Sequence, residues 1–118
     1  MLDLFRKFAL SYPETTEEPH FEKTSFRVRK KIFATYDSMT KMACLKLSEK
    51  DQDLFSLFDS NLIFPVPNKW GKQGWTLAKI EDLPEELVKD LLHAAFCQVA
   101  PEKLKKSFLH SRPSESED

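Results

Sequence analysis

Ser25-Phe26-Arg27-Val28-Arg29, followed after Lys30-Lys31 by Ile32-Phe33-Ala34-Thr35-Tyr36, is the stretch on which the fold turns. In its first half apolar and basic residues alternate. Phe26 and Val28 take one face and Arg27 and Arg29 the other, the period of two that marks a half-buried strand. The second half is rich in β-branched and aromatic residues, which suit a pleated surface. Lys30-Lys31 reads as the turn between them and Asp37-Ser38-Met39-Thr40-Lys41 as the next. Met42-Ala43-Cys44-Leu45-Lys46-Leu47 then reads as another strand. The expected product is an antiparallel meander whose exposed face carries the arginines.

Upstream, Leu2, Phe5, Phe8, Ala9 and Tyr12 recur at the i, i+3, i+4 spacing of an amphipathic helix, which Pro13 stops. Tyr12 to Pro19 reads as a polar connection bounded by prolines. Downstream, Ser48 caps a helix, with Asp51 three residues on in an approximate capping box. Leu54, Phe55, Leu57 and Phe58 are its expected buried side, and Asn61 ends it. Leu62-Ile63-Phe64 resumes extended structure as an edge strand, because Pro65 and Pro67 cannot donate to a ladder.

The next segment, Phe64 to Ile80, holds both glycines and both tryptophans of the chain and no acid. Glycine supplies positive φ at little steric cost, so Trp70-Gly71-Lys72-Gln73-Gly74-Trp75 reads as a hairpin or bent loop. Trp70 and Trp75 would face each other across it, with Lys72 and Gln73 at the tip. One reading is a structural turn with core tryptophans, the other a ligand-facing, positively charged aromatic loop. Trp75 to Ile80 is the last strand. Pro84 starts the longest helix, with Glu85 and Glu86 in the first turn, where acids suit the helix dipole. Leu87, Val88, Leu91, Leu92, Ala95, Phe96 and Val99 give it a broad apolar stripe. Pro101 breaks it and opens a short basic helix, Glu102 to Leu109, before a polar tail at 111–118, expected to be disordered.

The expectation is therefore α+β: an antiparallel sheet of five or six strands with helices on one face, in the order α-β-β-β-α-β-β-α-α. Its 118 residues suit one domain, over 1–110, with a single core. No apolar run approaches the about 20 residues of a membrane span, and the N-terminus lacks the pattern of a secretory signal. Cys44 and Cys97 stand far apart with no C-x-x-C spacing, so neither a zinc knuckle nor a disulfide scaffold is expected. A reduced, cytoplasmic monomer is the expectation.

Catalytic chemistry has no visible carrier. The chain has no G-x-S-x-G, P-loop, G-x-G-x-x-G or H-E-x-x-H. His93 and Cys97 stand at i, i+4, but Cys97 borders the apolar stripe and reads as a small buried hydrophobe. His20 neighbours the basic hairpin and has the chemistry to bond a phosphate, or a purely structural place. No enzyme, cofactor or metal site is expected. The net charge of −1 argues against a dedicated nucleic-acid binder, but its distribution is uneven. Lys23, Arg27, Arg29, Lys30 and Lys31 collect in one segment and Lys69, Lys72 and Lys79 in another.

Tyr12-Pro13-Glu14-Thr15 after the first helix, Pro19 to Val28, Lys31-Ile32-Phe33-Ala34, Leu45-Lys46-Leu47, Gly74-Trp75-Thr76-Leu77 and Leu83-Pro84-Glu85-Glu86-Leu87 together resemble the MmcQ/YjbR family. The match runs from about Met1 to Phe108, and it is the order and spacing of the pieces that carry it. The resemblance implies a frataxin-like (CyaY-like) sandwich and a double-wing arrangement proposed to bind DNA. The positions that would serve are Arg27, Arg29, Lys30 and Lys31 on the first hairpin and Lys69, Trp70 and Lys72 on the second. Members often carry a glycine in the first hairpin turn, where this chain has Arg29-Lys30-Lys31. Frataxins are associated with iron through acids of the first helix. Here that helix offers only Asp3 before Glu14, so iron binding does not carry over.

Two functions of different class follow. In one, the chain binds DNA phosphates through the two basic hairpins, with Trp70 in a groove or on an unpaired base. In the other, it is a non-catalytic domain that binds a protein or small ligand in a pocket between sheet and helix lined by Trp and Phe. Convergence of Arg27, Arg29, Lys31 and Lys72 on one surface separates the first from the second.

Overall fold

The meander forms, with one strand more than expected. The structure is a computed structural model that describes residues 2–105. Its elements are α1 (Leu2–Ala9), β1 (Thr15–His20), β2 (Lys23–Val28), β3 (Lys31–Asp37), β4 (Met42–Lys46), α2 (Glu49–Ser56), β5 (Ile63–Pro65), α3 (Lys69–Lys72), β6 (Trp75–Lys79) and α4 (Glu85–Val99). All strand pairings are antiparallel, and the spatial order is β1-β2-β3-β4-β6-β5. The expected short helix after Pro101 is helical over 102–105; its remainder and the tail at 111–118 lie outside the described residues.

The segment read as a polar connection contains β1. Its sequence, Thr-Thr-Glu-Glu-Pro-His, is poor in β-formers, but it is an edge strand that buries little. Pro19 is tolerated there because an edge residue whose N–H side faces solvent loses no ladder bond. Arg6 of α1 ties the strand down, with Nε donating to Glu17 Oε1 at 2.6 Å and a second nitrogen to Oε2 at 2.9 Å.

Registers divide the sheet into two faces. Phe26, Ala34 and Leu45 stand opposite one another, as do Tyr36, Ala43 and Ala78, and all are buried. This is the face that the helices cover. Phe5 of α1 packs edge-on against Phe26 at 5.6 Å, and Phe96 of α4 meets Phe33 at 5.9 Å. Burying each such ring stabilises by about 1.5–3 kcal/mol. A bulge makes Phe33 available: Phe26 pairs with Ala34 but Arg27 with Ile32, so Phe33 is the extra residue and goes inward with Ala34.

The α2 helix departs from expectation. Ser48 Oγ caps it by accepting from Asp51 N at 3.0 Å, as the capping box predicts. Its buried residue, however, is Gln52, while Leu54, Leu57 and Phe58 are exposed and Phe55 is half-buried. Gln52 and Phe55 share one side at i, i+3, and that spacing leaves Leu54 and Phe58 on another.

Candidate nucleic-acid interface

The opposite face of the sheet is left open by α1, α2 and α4, with only the single turn α3 at its border. By register it presents Lys23, Ser25 and Arg27 from β2, Ile32 and Thr35 from β3, Met42, Cys44 and Lys46 from β4, and Trp75, Leu77 and Lys79 from β6. At its centre lies an open hollow of about 550 Å3, lined by His20, Lys23, Ile32, Thr35, Cys44, Val66, Trp70, Trp75 and Leu77. The sequence had pointed to a pocket on the helix side. The hollow is on the uncovered side because tightly packed Phe rings and Leu side chains fill the other.

One wall of this hollow is the Trp-Gly segment, which is not a hairpin tip. Asn68 Oδ1 accepts from Trp70 N at 2.8 Å and starts a single helical turn, α3. Trp75 instead stands opposite Lys46 of β4, so the expected cross-strand tryptophan pair does not form. The turn is held from below by Gln52, whose Nε2 donates to Gly71 O and Thr76 Oγ1 at 3.0 Å and to Trp75 O at 3.3 Å. Such a buried amide anchors backbone that would otherwise carry orphan carbonyls. The result is a Trp70 side chain that is 49% exposed on a backbone pinned at both ends.

Cations stand next to both indoles. Lys69 Nζ lies 5.8 Å from the Trp70 ring centroid, and Lys46 Nζ lies 5.8 Å from that of Trp75 while donating to Gln73 O. Arg27 Nε donates to Ser25 Oγ at 3.0 Å, which lays the guanidinium along the open face. The strand acids on this face are Glu18 and Asp37, and Asp37 Oδ1 accepts from Met39 N at 2.9 Å. Lys79 lies at the far end beside Glu81 and Asp82.

The residues proposed from sequence do not gather in one place. Arg27 and Trp70 border the open face, with Lys69 beside Trp70. Arg29 sits in the β2–β3 turn, its guanidinium on both oxygens of Glu14 at 2.7 and 3.3 Å. Lys30 is at the exposed tip of that turn, and Lys31 pairs with Val28, on the helix side of the sheet. Lys69 and Lys72 also line a second hollow, of about 860 Å3, between α3 and α2, where Glu49 and Asp53 are their neighbours. Arg27, Arg29, Lys31 and Lys72 therefore do not converge.

Two cations of the open face, Lys23 and Lys46, are not among the positions proposed from sequence to serve in binding, although Lys23 belongs to the basic segment. Their signal was the period of two itself, since Lys23, Ser25 and Arg27 share one parity and Met42, Cys44 and Lys46 another. His20 closes β1, with its ring 4.9 Å from Phe21, and lines the hollow. Cys44, on the floor, has its thiol pushed up to about 11 by burial, with Lys23 pulling weakly the other way. At neutral pH it is a thiol, without the thiolate that nucleophilic chemistry needs. His93 stacks on Tyr12 at 6.2 Å and Cys97 is half-buried on α4, away from the hollow's lining.

Comparisons with known proteins agree with the architecture. A family model described as YjbR matches residues 10–98. A solved structure, Deinococcus radiodurans protein DR2400 of the domain type DUF419, superposes with a TM-score of 0.74 and 21% sequence identity. The superposition covers 93% of this chain and 88% of that one, and at such identity it speaks for the fold. No curated protein matches.

Proposed function

The chain belongs to the YjbR family, and from that premise we propose that it is a non-catalytic nucleic-acid-binding module that works through the open face of its sheet. The supporting observation is the placement of Lys23, Arg27 and Lys46 on the open face, with Lys69 beside the Trp70 ring. Phosphates need cations on an accessible surface, and a neutral protein meets that need only by segregating its charge. The family's double-wing reading would put the contacts on hairpin tips. In this chain the first tip is compromised, because Arg29 is held by Glu14 and Lys31 pairs on the other face.

The scatter of Arg27, Arg29, Lys31 and Lys72 favours a second reading, in which the hollow binds a small ligand and no polymer. Fluorescence anisotropy of labelled duplex and single-stranded DNA at two salt concentrations distinguishes them. Roughly three or four phosphate contacts at about −0.9 each give a log–log salt slope near −3. Lys23→Ala with Arg27→Ala should roughly halve that slope, at about −0.9 per lost contact, whereas Arg29→Ala with Lys30→Ala and Lys31→Ala should leave it nearly intact. The reverse pattern would return the site to the hairpin tip. Absence of binding at low salt, with the fold verified by circular dichroism, would leave the small-ligand reading.

A further inference from the structure

We infer that the hollow under Trp70 is a seat for one unstacked nucleobase, so that the open face selects unpaired over paired nucleic acid. The inference rests on the nucleic-acid reading above and adds to it the part of the ligand that enters the protein.

The hollow's dimensions and lining carry the argument. About 550 Å3 lies within the roughly 300–1,000 Å3 of small-molecule sites, and residues of the sheet and of α3 line it. Ile32, Leu77 and Cys44 of the sheet give it an apolar floor, beside the Trp75 indole. Trp70 forms the wall, half exposed although its backbone is pinned by Asn68 and Gln52. An exposed, pre-positioned indole has given up burial, and an aromatic partner restores it. Every base offers a π-face, so stacking of this kind tolerates sequence.

Charge identifies the rest of the occupant. A purely apolar ligand would be poorly served by a site where Lys23 lines the hollow and Lys46 and Lys69 stand against its two indoles. A planar ring covalently tied to an anion fits both features, and a nucleotide is that combination. Apart from Lys23 and the Cys44 thiol, the polar side chains on the lining are Thr35 and His20, too few to read a base edge uniquely. The occupant is thus recognised as base plus phosphate with little sequence preference.

Its source is either a polymer strand or a free nucleotide, and a single titration series separates them. Quenching of tryptophan fluorescence is followed with a short oligodeoxythymidylate, its duplex with oligodeoxyadenylate, the same backbone made fully abasic, and thymidine monophosphate. The single strand is expected to bind about tenfold tighter than the abasic backbone, as one base stack allows. The duplex should fall with the abasic strand. Trp70→Ala should remove that tenfold advantage while leaving abasic binding unchanged, a readout that loss of fold would not produce. If thymidine monophosphate quenches and no polymer binds, the base seat stands with a free nucleotide as its occupant, and the polymer reading falls. If strand, duplex and abasic backbone bind equally and Trp70→Ala changes none of them, the base seat is overturned while phosphate binding survives. If none of the four binds, both fall together.

Discussion

The turn between β2 and β3 and the connection between β5 and β6 leave the sheet at the same end, and their backbones are solved in opposite ways. In the first, Arg29 and Lys30 both take left-handed conformations, with φ of 49° and 74°, at a two-residue tip surrounded by water. Type I′ turns of this kind favour Asn-Gly, because a Cβ makes positive φ costly. In the second, space is the constraint. A Cβ on Gly71 would come within 2.1 Å of Val66 O, and one on Gly74 within 1.9 Å of Leu47 O, with φ of +102° at Gly74 as well. The tip tolerates strain because it is exposed and only Glu14 holds it, whereas the connection packs backbone on backbone and so fixes where Trp70 sits. A chain with only two glycines has placed both where contact requires them.

The largest effects should therefore come from the connection. Gly74→Ala combines a backbone clash with a disfavoured φ and is expected to lower stability by about 3 kcal/mol or more in urea unfolding. Gly71→Ala should cost somewhat less and also change Trp70 fluorescence, because the clash lies next to its peptide. A loss below about 1 kcal/mol for both would mean that the segment reseats easily, and the pinned indole would lose its basis.

At the hairpin tip the sign reverses. Lys30→Gly removes a Cβ from left-handed backbone and is expected to stabilise by roughly 0.5–1 kcal/mol, after the extra freedom glycine gives the unfolded chain. An upward shift of the urea midpoint at unchanged m-value would show it. Destabilisation would mean that the Lys30 side chain makes a contact that outweighs its backbone cost.

The same contrast explains what was legible in the sequence. Period-two alternation revealed β2, β-forming composition revealed β3 and β4, and Pro84 with the Leu87–Val99 stripe revealed α4, because those signals accompany burial against a core. β1 escaped because an edge strand buries little and its Thr-Glu-Pro composition is that of a connection. The one-turn helix α3 escaped because Gly-Lys-Gln-Gly matches a hairpin tip, and only the tertiary approach of Val66 and Leu47 backbone shows what the glycines are for. On α2, hydrophobicity misled: Gln52 is inside because it satisfies Gly71, Thr76 and Trp75 at once, a role no periodicity encodes. For the candidate site, sequence proximity grouped cations that register then separated, since neighbours in a strand point to opposite faces.

The smallest effect tests the comparison most finely, because it asks whether the hairpin tip is free to bind anything. Bidentate hydrogen bonding by the Arg29 guanidinium holds the Glu14 carboxyl below the usual range. A carboxylate whose pKa is depressed by folding contributes stability above its unfolded pKa and loses it as pH falls through the folded value. The pair is exposed, so this contribution is small and shrinks with salt. Arg29→Gln should return Glu14 to the ordinary carboxylate range in a carbon-detected NMR titration and flatten the acid limb of the stability curve slightly. The titration becomes decisive when repeated with saturating single-stranded DNA. If the open face is the site, Arg29 stays on Glu14 and the carboxyl titrates as before. If the hairpin tip is the wing, phosphate must take the guanidinium away, and the Glu14 pKa rises on binding.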